Sequence, residues 1–343
     1  MEELKNQIIE DFLELTQNGK IHLSRDKYLK TSKFGYKYKK IFVTYSNLRS
    51  IALFGEEDFE IEYKYPVKKA PTVRKTEVMP KKENKYSLEK TKGKDILQGL
   101  IMSDIHVPFH DKEILDKVLK MIQDNDFDFF VLNGDFLDLF SISKYASNSL
   151  YDLKDITLGY EYNQGNEVLD LFESVLKEDC QKVYLYGNHE ERFARLVKHL
   201  DNAKYGDALL DPKTALCLEK RGYKVLENCH QDYLTIGDDL EVIHGFYANK
   251  YFTNKHLEHL EKNVIIGHIH TQQIFTSANG KEAYSIGFLG DLESNAYNYA
   301  NRMSKARWKQ GFITIKWDQI NDLFWVNPVR ILEKKFCFND TVY

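Results

Sequence analysis

Eight side chains have the types and the spacing to ligate a divalent metal or move a proton at one site: Asp104, His106, Asp135, Asn188, His189, His244, His268 and His270. They fall in five short blocks, Asp104-Ile105-His106, Gly134-Asp135-Phe136-Leu137-Asp138, Gly187-Asn188-His189-Glu190, His244-Gly245 and Gly267-His268-Ile269-His270. The one-residue spacing within the first and last blocks lets a loop leaving a strand aim two side chains from adjacent turns at one point. Mixed nitrogen and oxygen donors of this kind suit Mn²⁺, Fe²⁺ or Zn²⁺ better than Ca²⁺. Asp135 is the pivot. Val131-Leu132-Asn133 reads as the end of an apolar strand, and Gly134 lets the backbone turn tightly just past it. The carboxylate then projects into the crevice at a sheet edge where ligands bind in α/β proteins. Its two oxygens allow it to bridge two ions.

The elements that must position these blocks follow α/β grammar from Ile96 onward, with short apolar strands alternating with amphipathic helices. Residues 97–104, 127–135 and 182–188 read as strands, and 113–125, 167–179 and 189–200 as helices. Later segments carry hairpin signals, including Asn279-Gly280. They lead to the expectation of a second, largely antiparallel sheet formed by residues 234–245, 263–268, 274–287 and 311–332. The two sheets would pack face to face with helices outside. The connection 141–166 is long for an α/β loop and is expected to wall the crevice.

The five blocks, in this order and each at the end of an expected strand over residues 97–331, resemble the calcineurin-like metallophosphoesterase superfamily. The resemblance implies a four-layer αββα sandwich and a binuclear centre. By its pattern, Asp104, His106, Asp135 and His270 hold one ion, and Asp135, Asn188, His244 and His268 hold the other. Mn²⁺ is the expected ion, with Fe²⁺ or Zn²⁺ as alternatives. Two such ions about 4 Å apart activate a water and clamp a phosphoryl group. His189 would then face the phosphate, stabilising the transition state or protonating the leaving oxygen. Asp138 is read as orienting a ligand histidine. The run from Gly290 to Asn295, followed by Arg307 and Trp308, looks like a segment of phage-encoded members. There Arg307 could hold a phosphate and Trp308 could stack on a base, though a surface Arg beside a buried Trp is the plainer reading. His22, His199, His230, His256 and His259 stand outside any motif and read as surface or packing residues. His110 is read equally as lining the crevice or as an exposed loop histidine.

A chain of 343 residues with 43% hydrophobic content exceeds one typical core, so two domains are expected. The net charge of -4 conceals an asymmetry: residues 1–98 carry 21 Lys/Arg against 15 acids, and the remainder 27 against 37. Residues 1–62 read as a basic helical module, with an amphipathic helix over 2–17. Between residues 18 and 50 Asp26 is the sole acid among nine Lys/Arg and interleaved tyrosines and phenylalanines. Residues 63–95, rich in lysine and proline, read as a flexible tether, and 96–343 as the catalytic domain. The basic module and tether over 18–95 are expected to bind DNA or RNA, with a protein-interaction arm as the rival. The favoured function is a two-metal phosphodiesterase of nucleic acid, nuclease-like. The alternatives are a protein or small-molecule phosphomonoesterase, or a non-catalytic metal-binding scaffold. With no leader and no membrane-length apolar run, a soluble cytoplasmic protein is expected, in the host cytoplasm if phage-encoded. Cys180, Cys217, Cys229 and Cys337 lack C-x-x-C spacing and read as reduced, mostly buried thiols rather than as disulfides or a zinc site.

Overall fold

The computed structural model describes residues 10–15, 17, 85–143, 153, 156–199, 211–298, 300 and 305–343. The chain divides into two units, Met1–Met79 and Pro80–Tyr343. In the first, residues 10–15 are helical and Phe12 is buried, within the helix expected over 2–17. The basic segment 18–62 and residues 63–84 of the expected tether lie outside the described residues.

In chain order the second unit runs β1 (Lys85–Ser87), β2 (Ile96–Met102), α1 (Lys112–Asp124), β3 (Phe129–Asn133), α2 (Leu158–Val175), β4 (Gln181–Leu185), α3 (Glu191–His199), α4 (Pro212–Ala215) and β5 (Tyr223–Leu226). It continues with β6 (Tyr233–Ile236), β7 (Leu240–Ile243), α5 (Phe252–Leu260), β8 (Asn263–Ile266), β9 (Gln273–Thr276), β10 (Glu282–Ser285), β11 (Gly311–Asp318), β12 (Leu323–Arg330), β13 (Cys337–Phe338) and β14 (Thr341–Val342). One six-stranded sheet has the order β12-β11-β2-β3-β4-β5 and the other β1-β6-β7-β8-β10-β9.

Strand alternation builds two cores from one sheet. Along β2 and β3, Leu97, Ile101, Phe129 and Val131 meet Leu234, Ile236, Val242 and Ile265 of the facing sheet. Their neighbours Leu100, Met102, Phe130 and Leu132 point the other way, onto Ile114, Val118 and Ile122 of α1 and Leu169 and Phe172 of α2. On the far side, Leu257 of α5 packs with Ile243, Val264 and Ile266. These layers are the four-layer αββα sandwich. Capping fixes the helix starts: Asp111 accepts from Ile114 N at 3.2 Å and Thr157 from Tyr160 N at 3.2 Å.

Four local expectations are corrected. Residues 85–95 are not tether: β1 pairs parallel with β6, Leu88 is buried, and Gln319 holds Thr91 through the backbone. The second sheet is mixed rather than largely antiparallel, because α5 connects β7 to β8 and returns the chain parallel. Residues 311–330 do not join it; β11 adds antiparallel to β2 in the first sheet. The connection after Asp138 is shorter than the 141–166 expected, since α2 starts at Leu158, and Glu161 and Gly165 are turned inward on that helix rather than lying in a loop that walls the crevice.

Candidate metal centre

All five blocks lie at strand ends that point the same way. Asp104 and His106 follow β2, Asp135 follows β3, Asn188 and His189 follow β4, His244 follows β7, and His268 and His270 follow β8. The backbone is bent sharply to aim them: Asp104, His106, Asp135, His268 and His270 all have φ between 50° and 73°. L-residues avoid this left-handed region, and such strain concentrates where function requires it. Two glycines make room. A Cβ on Gly134 would stand 2.4 Å from His244 Nδ1, and one on Gly187 would stand 2.1 Å from Asp135 Oδ1.

The ligand atoms of Asp104, His106 and His270 lie within 4.8 Å of one another, as do those of Asp135, His244 and His268, and those of His106, Asp135 and His189. Asn188 Oδ1 is 3.2 Å from His244 Nε2, and Asp135 Oδ2 is 3.3 Å from the same nitrogen. All eight residues named from the sequence therefore converge, with Asp135 between two groups.

The donor set fits a pair of cations. Asp104 Oδ2 accepts from His268 N at 2.9 Å, but buried Oδ1 accepts no hydrogen bond, with His270 Nε2 3.2 Å away and unaligned. His106 Nδ1 is committed to Asp138 Oδ2 at 3.0 Å, so its Nε2 faces His270 Nε2 at 3.0 Å. Two imidazole nitrogens and a bare carboxylate oxygen at such distances are what a cation would join. The electrostatics agree. Burial lowers His244, yet Asp135 and Asp104 lift it to about 10, a sign that the pocket draws positive charge. Burial takes His268 the other way, to about 4, leaving it a neutral ligand.

His189 is held on three sides. Its N–H donates to Asp135 Oδ1 at 2.8 Å, its Nδ1 donates to the Asp138 carbonyl at 2.7 Å, and Arg192 Nη2 stands 2.7 Å from its Nε2. A cleft of about 570 Å³ opens over Asp135, Asn188, His189 and His268, with Arg192, Lys250 and Arg307 among its walls. Arg307 is exposed. Trp308 is buried edge-on against His270 with ring centres 4.6 Å apart. His110 is buried with Nδ1 unpartnered, so neither an exposed histidine nor a cleft residue is found there. His256 is a packing residue that accepts from Phe246 N and donates to Phe252 O, while His230 and His259 are exposed. His22 and the side chain of His199 lie outside the described residues.

Three contributors escaped sequence reading. Buried Glu190 accepts from Gly187 N, Asp135 N, Leu137 N and Tyr184 OH at 2.8–3.1 Å, tying two of the loops together. Arg192 braces His189. Glu161 of α2 accepts from Phe140 N, Ser141 N and Ser141 Oγ, fixing the turn after Asp138. Glu190 stood inside a quoted block, and its neighbours three to 55 residues away gave no sign of what it would accept. Arg192 and Glu161 had no motif around them.

A sequence model of the calcineurin-like phosphoesterase family matches residues 100–273. No curated protein matches the sequence. Among solved structures, the chain is similar to Vps29 from Entamoeba histolytica in complex with Zn²⁺, at 12% identity and a TM-score of 0.37, covering 72% of this chain and 96% of that one. Vps29 from Cryptosporidium parvum gives 12% identity and a TM-score of 0.38 over 73% and 96% of the two chains. A dimetal phosphatase from Danio rerio gives 12% and 0.35 over 68% and 96%.

Proposed function

The chain belongs to the calcineurin-like phosphoesterase family and is a metal-dependent phosphoester hydrolase, and from that premise we propose that it is a phosphodiesterase acting on nucleic acid. In this reading Asp104, His106, Asp135 and His270 would hold one divalent ion and Asp135, Asn188, His244 and His268 the other, Asp135 being common to both sets, and Mn²⁺ is the expected metal. Bound there, the ions supply Lewis-acid activation of a water and of the phosphoryl group. The chain supplies the rest. Asp138 fixes the ring of His106 through Nδ1, and Glu190 sets the turns that present Asp135 and Asn188. His189 is the residue for the leaving oxygen, stabilising it or handing it a proton; with Nδ1 anchored to the Asp138 carbonyl and Arg192 Nη2 donating to Nε2, any proton it passes on would first have to be taken up at Nε2.

The observation that carries the choice of substrate is the cleft. It is far larger than one phosphate, and its walls bring Arg192, Lys250 and Arg307 to the same opening as the metal-binding side chains. A polyanion that continues past the scissile bond can use several cations at once, whereas a phosphomonoester ends at the site. Charge along the chain supports this reading: the basic stretch over 18–95 would raise the local concentration of nucleic acid near an otherwise acidic catalytic domain. The test is a screen of single-stranded DNA, duplex DNA, RNA, cyclic nucleotides and phosphopeptides with Mn²⁺. Cleavage of polynucleotides well above the other substrates is expected; preferential turnover of phosphopeptides or other monoesters would establish the phosphatase alternative.

A further inference from the structure

Among the described residues, one more group of metal-ligating side chains meets in space outside the clusters around Asp135. Glu191 opens α3, and Cys229 and His230 lie on the loop between β5 and β6. One carboxylate oxygen, the thiol sulfur and one imidazole nitrogen lie within 4.8 Å of one another. We propose that Glu191, Cys229 and His230 form a third, independent cation site that selects zinc.

One of the three spacings already matches a bound ion, and the oxygen that makes it, Glu191 Oε2, also accepts from Arg195 Nη2 at 3.3 Å, a contact an ion would displace. Tetrahedral zinc, with bonds of about 2.0 Å to oxygen or nitrogen and about 2.3 Å to sulfur, separates its ligands by about 3.3–3.6 Å. His230 Nε2 is 3.4 Å from Glu191 Oε2. The loop that presents the other two donors is built without help from a metal. Asn228 O accepts from Gln231 N and Asp232 N, Asn228 Oδ1 accepts from His230 N at 3.1 Å, and Asp232 Oδ2 accepts from Asn228 N at 3.0 Å. The backbone that carries Cys229 and His230 is therefore preset, and binding would have chiefly the exposed His230 ring to order. Cys229 is buried, Glu191 is partly exposed and His230 is exposed, so an ion held there would keep a fourth position toward water.

The donor chemistry separates this site from the centre around Asp135. That centre offers nitrogen and oxygen alone, whereas sulfur beside imidazole and carboxylate favours Zn²⁺ over Mn²⁺ or Mg²⁺. Burial and the neighbouring Glu191 push the Cys229 thiol far up, so the metal-free residue is an inert thiol. Zinc binding would replace that thiol proton, releasing one proton per ion. The ion would fasten the β5–β6 loop to the first turn of α3, the helix that begins just after Asn188 and His189. A lack of C-x-x-C spacing hides such a site from sequence, since its ligands come from two distant elements.

Co²⁺ reports on sulfur ligation directly, because a thiolate ligand gives an intense near-ultraviolet charge-transfer band that nitrogen and oxygen ligands do not. The full chain, stripped of metal and kept reduced, would be titrated with Co²⁺. The expected result is a thiolate band in wild type and in Cys217→Ser, Cys337→Ser and Asp135→Asn, and its loss in Cys229→Ser. His230→Ala, at an exposed position that the fold does not need, should weaken Co²⁺ binding at this band at least about tenfold. Zn²⁺ should bleach the band at concentrations where Mn²⁺ leaves it intact. Absence of the band in folded wild type, its persistence in Cys229→Ser, or unchanged affinity in His230→Ala would each overturn the proposal. Because Asp135→Asn keeps the band, the outcome does not depend on the hydrolytic centre.

Discussion

Glu190 receives four donors on one carboxylate, and three of them are backbone N–H groups of the loops that carry Asp135 and Asn188. Replacing it by Gln turns one accepting oxygen into a donor facing other donors, which leaves buried N–H groups unpaired. Chemical denaturation should show Glu190→Gln less stable by about 1–3 kcal/mol, and its metal-dependent turnover should fall as well. Gly187 offers a more local probe. A Cβ there would stand 2.1 Å from Asp135 Oδ1 and 2.4 Å from Asp135 N, so Gly187→Ala must displace the carboxylate on which both groups of ligands converge. Steady-state assays should find kcat reduced about 100-fold while circular dichroism stays close to wild type. At this scale the sequence was informative wherever chemistry is local. A DxH or HxH pair announces itself by residue type and spacing. Glu190 and Arg192 act through what they touch, and touching is decided by the fold.

The element that sets the far side of the site is α2, whose Glu161 reaches the turn over residues 140–142. Burial raises this carboxyl to about 7, outweighing the hydrogen bonds from Ser141 and Phe140 that favour its charged form. An acid raised on folding binds its proton more tightly in the native state, so its stabilising contribution is complete below about 4.5 and is lost as pH rises through about 7. The difference is on the order of 3 kcal/mol. Denaturation followed from pH 4.5 to 8 should show wild type losing stability across that window and Glu161→Gln losing much less of it. Equal slopes would mean that Glu161 does not carry the dependence. The start of α2 was illegible because Gly159, Asn163 and Gly165 dilute the helical pattern and polar Glu161 sits on the buried face. The periodic α1, with Ile114, Leu115, Val118, Leu119 and Ile122 all inward, was plain. The mixed second sheet was missed for a related reason: α5 (Phe252–Leu260) is short and histidine-rich, and without it the flanking strands look like hairpin partners.

At the scale of the whole molecule, the division into a basic N-terminal module and a catalytic domain rests on charge and composition. Limited proteolysis tests it: cleavage concentrated between residues 65 and 84 should leave a protected fragment beginning near Lys85, where β1 pairs with β6. Resistance of that stretch equal to that of the core would remove the tether. Among the described residues no helix is long and apolar enough to cross a membrane, and the described surface around the metal-binding side chains opens to solvent through the cationic cleft. The chain hydrolyses phosphoesters, and in the reading proposed above it would do so through two ions shared at Asp135. The most direct measurement is hydrolysis of a generic aryl phosphodiester by the full chain, with bound metal counted in the same samples. Chelation should abolish turnover, and Mn²⁺ should restore it as two ions bind per chain. Asp135→Asn should lower kcat at least about 100-fold and reduce the metal count. Turnover that survives chelation, or that is unchanged in Asp135→Asn, would mean that hydrolysis does not run through metal held at Asp135.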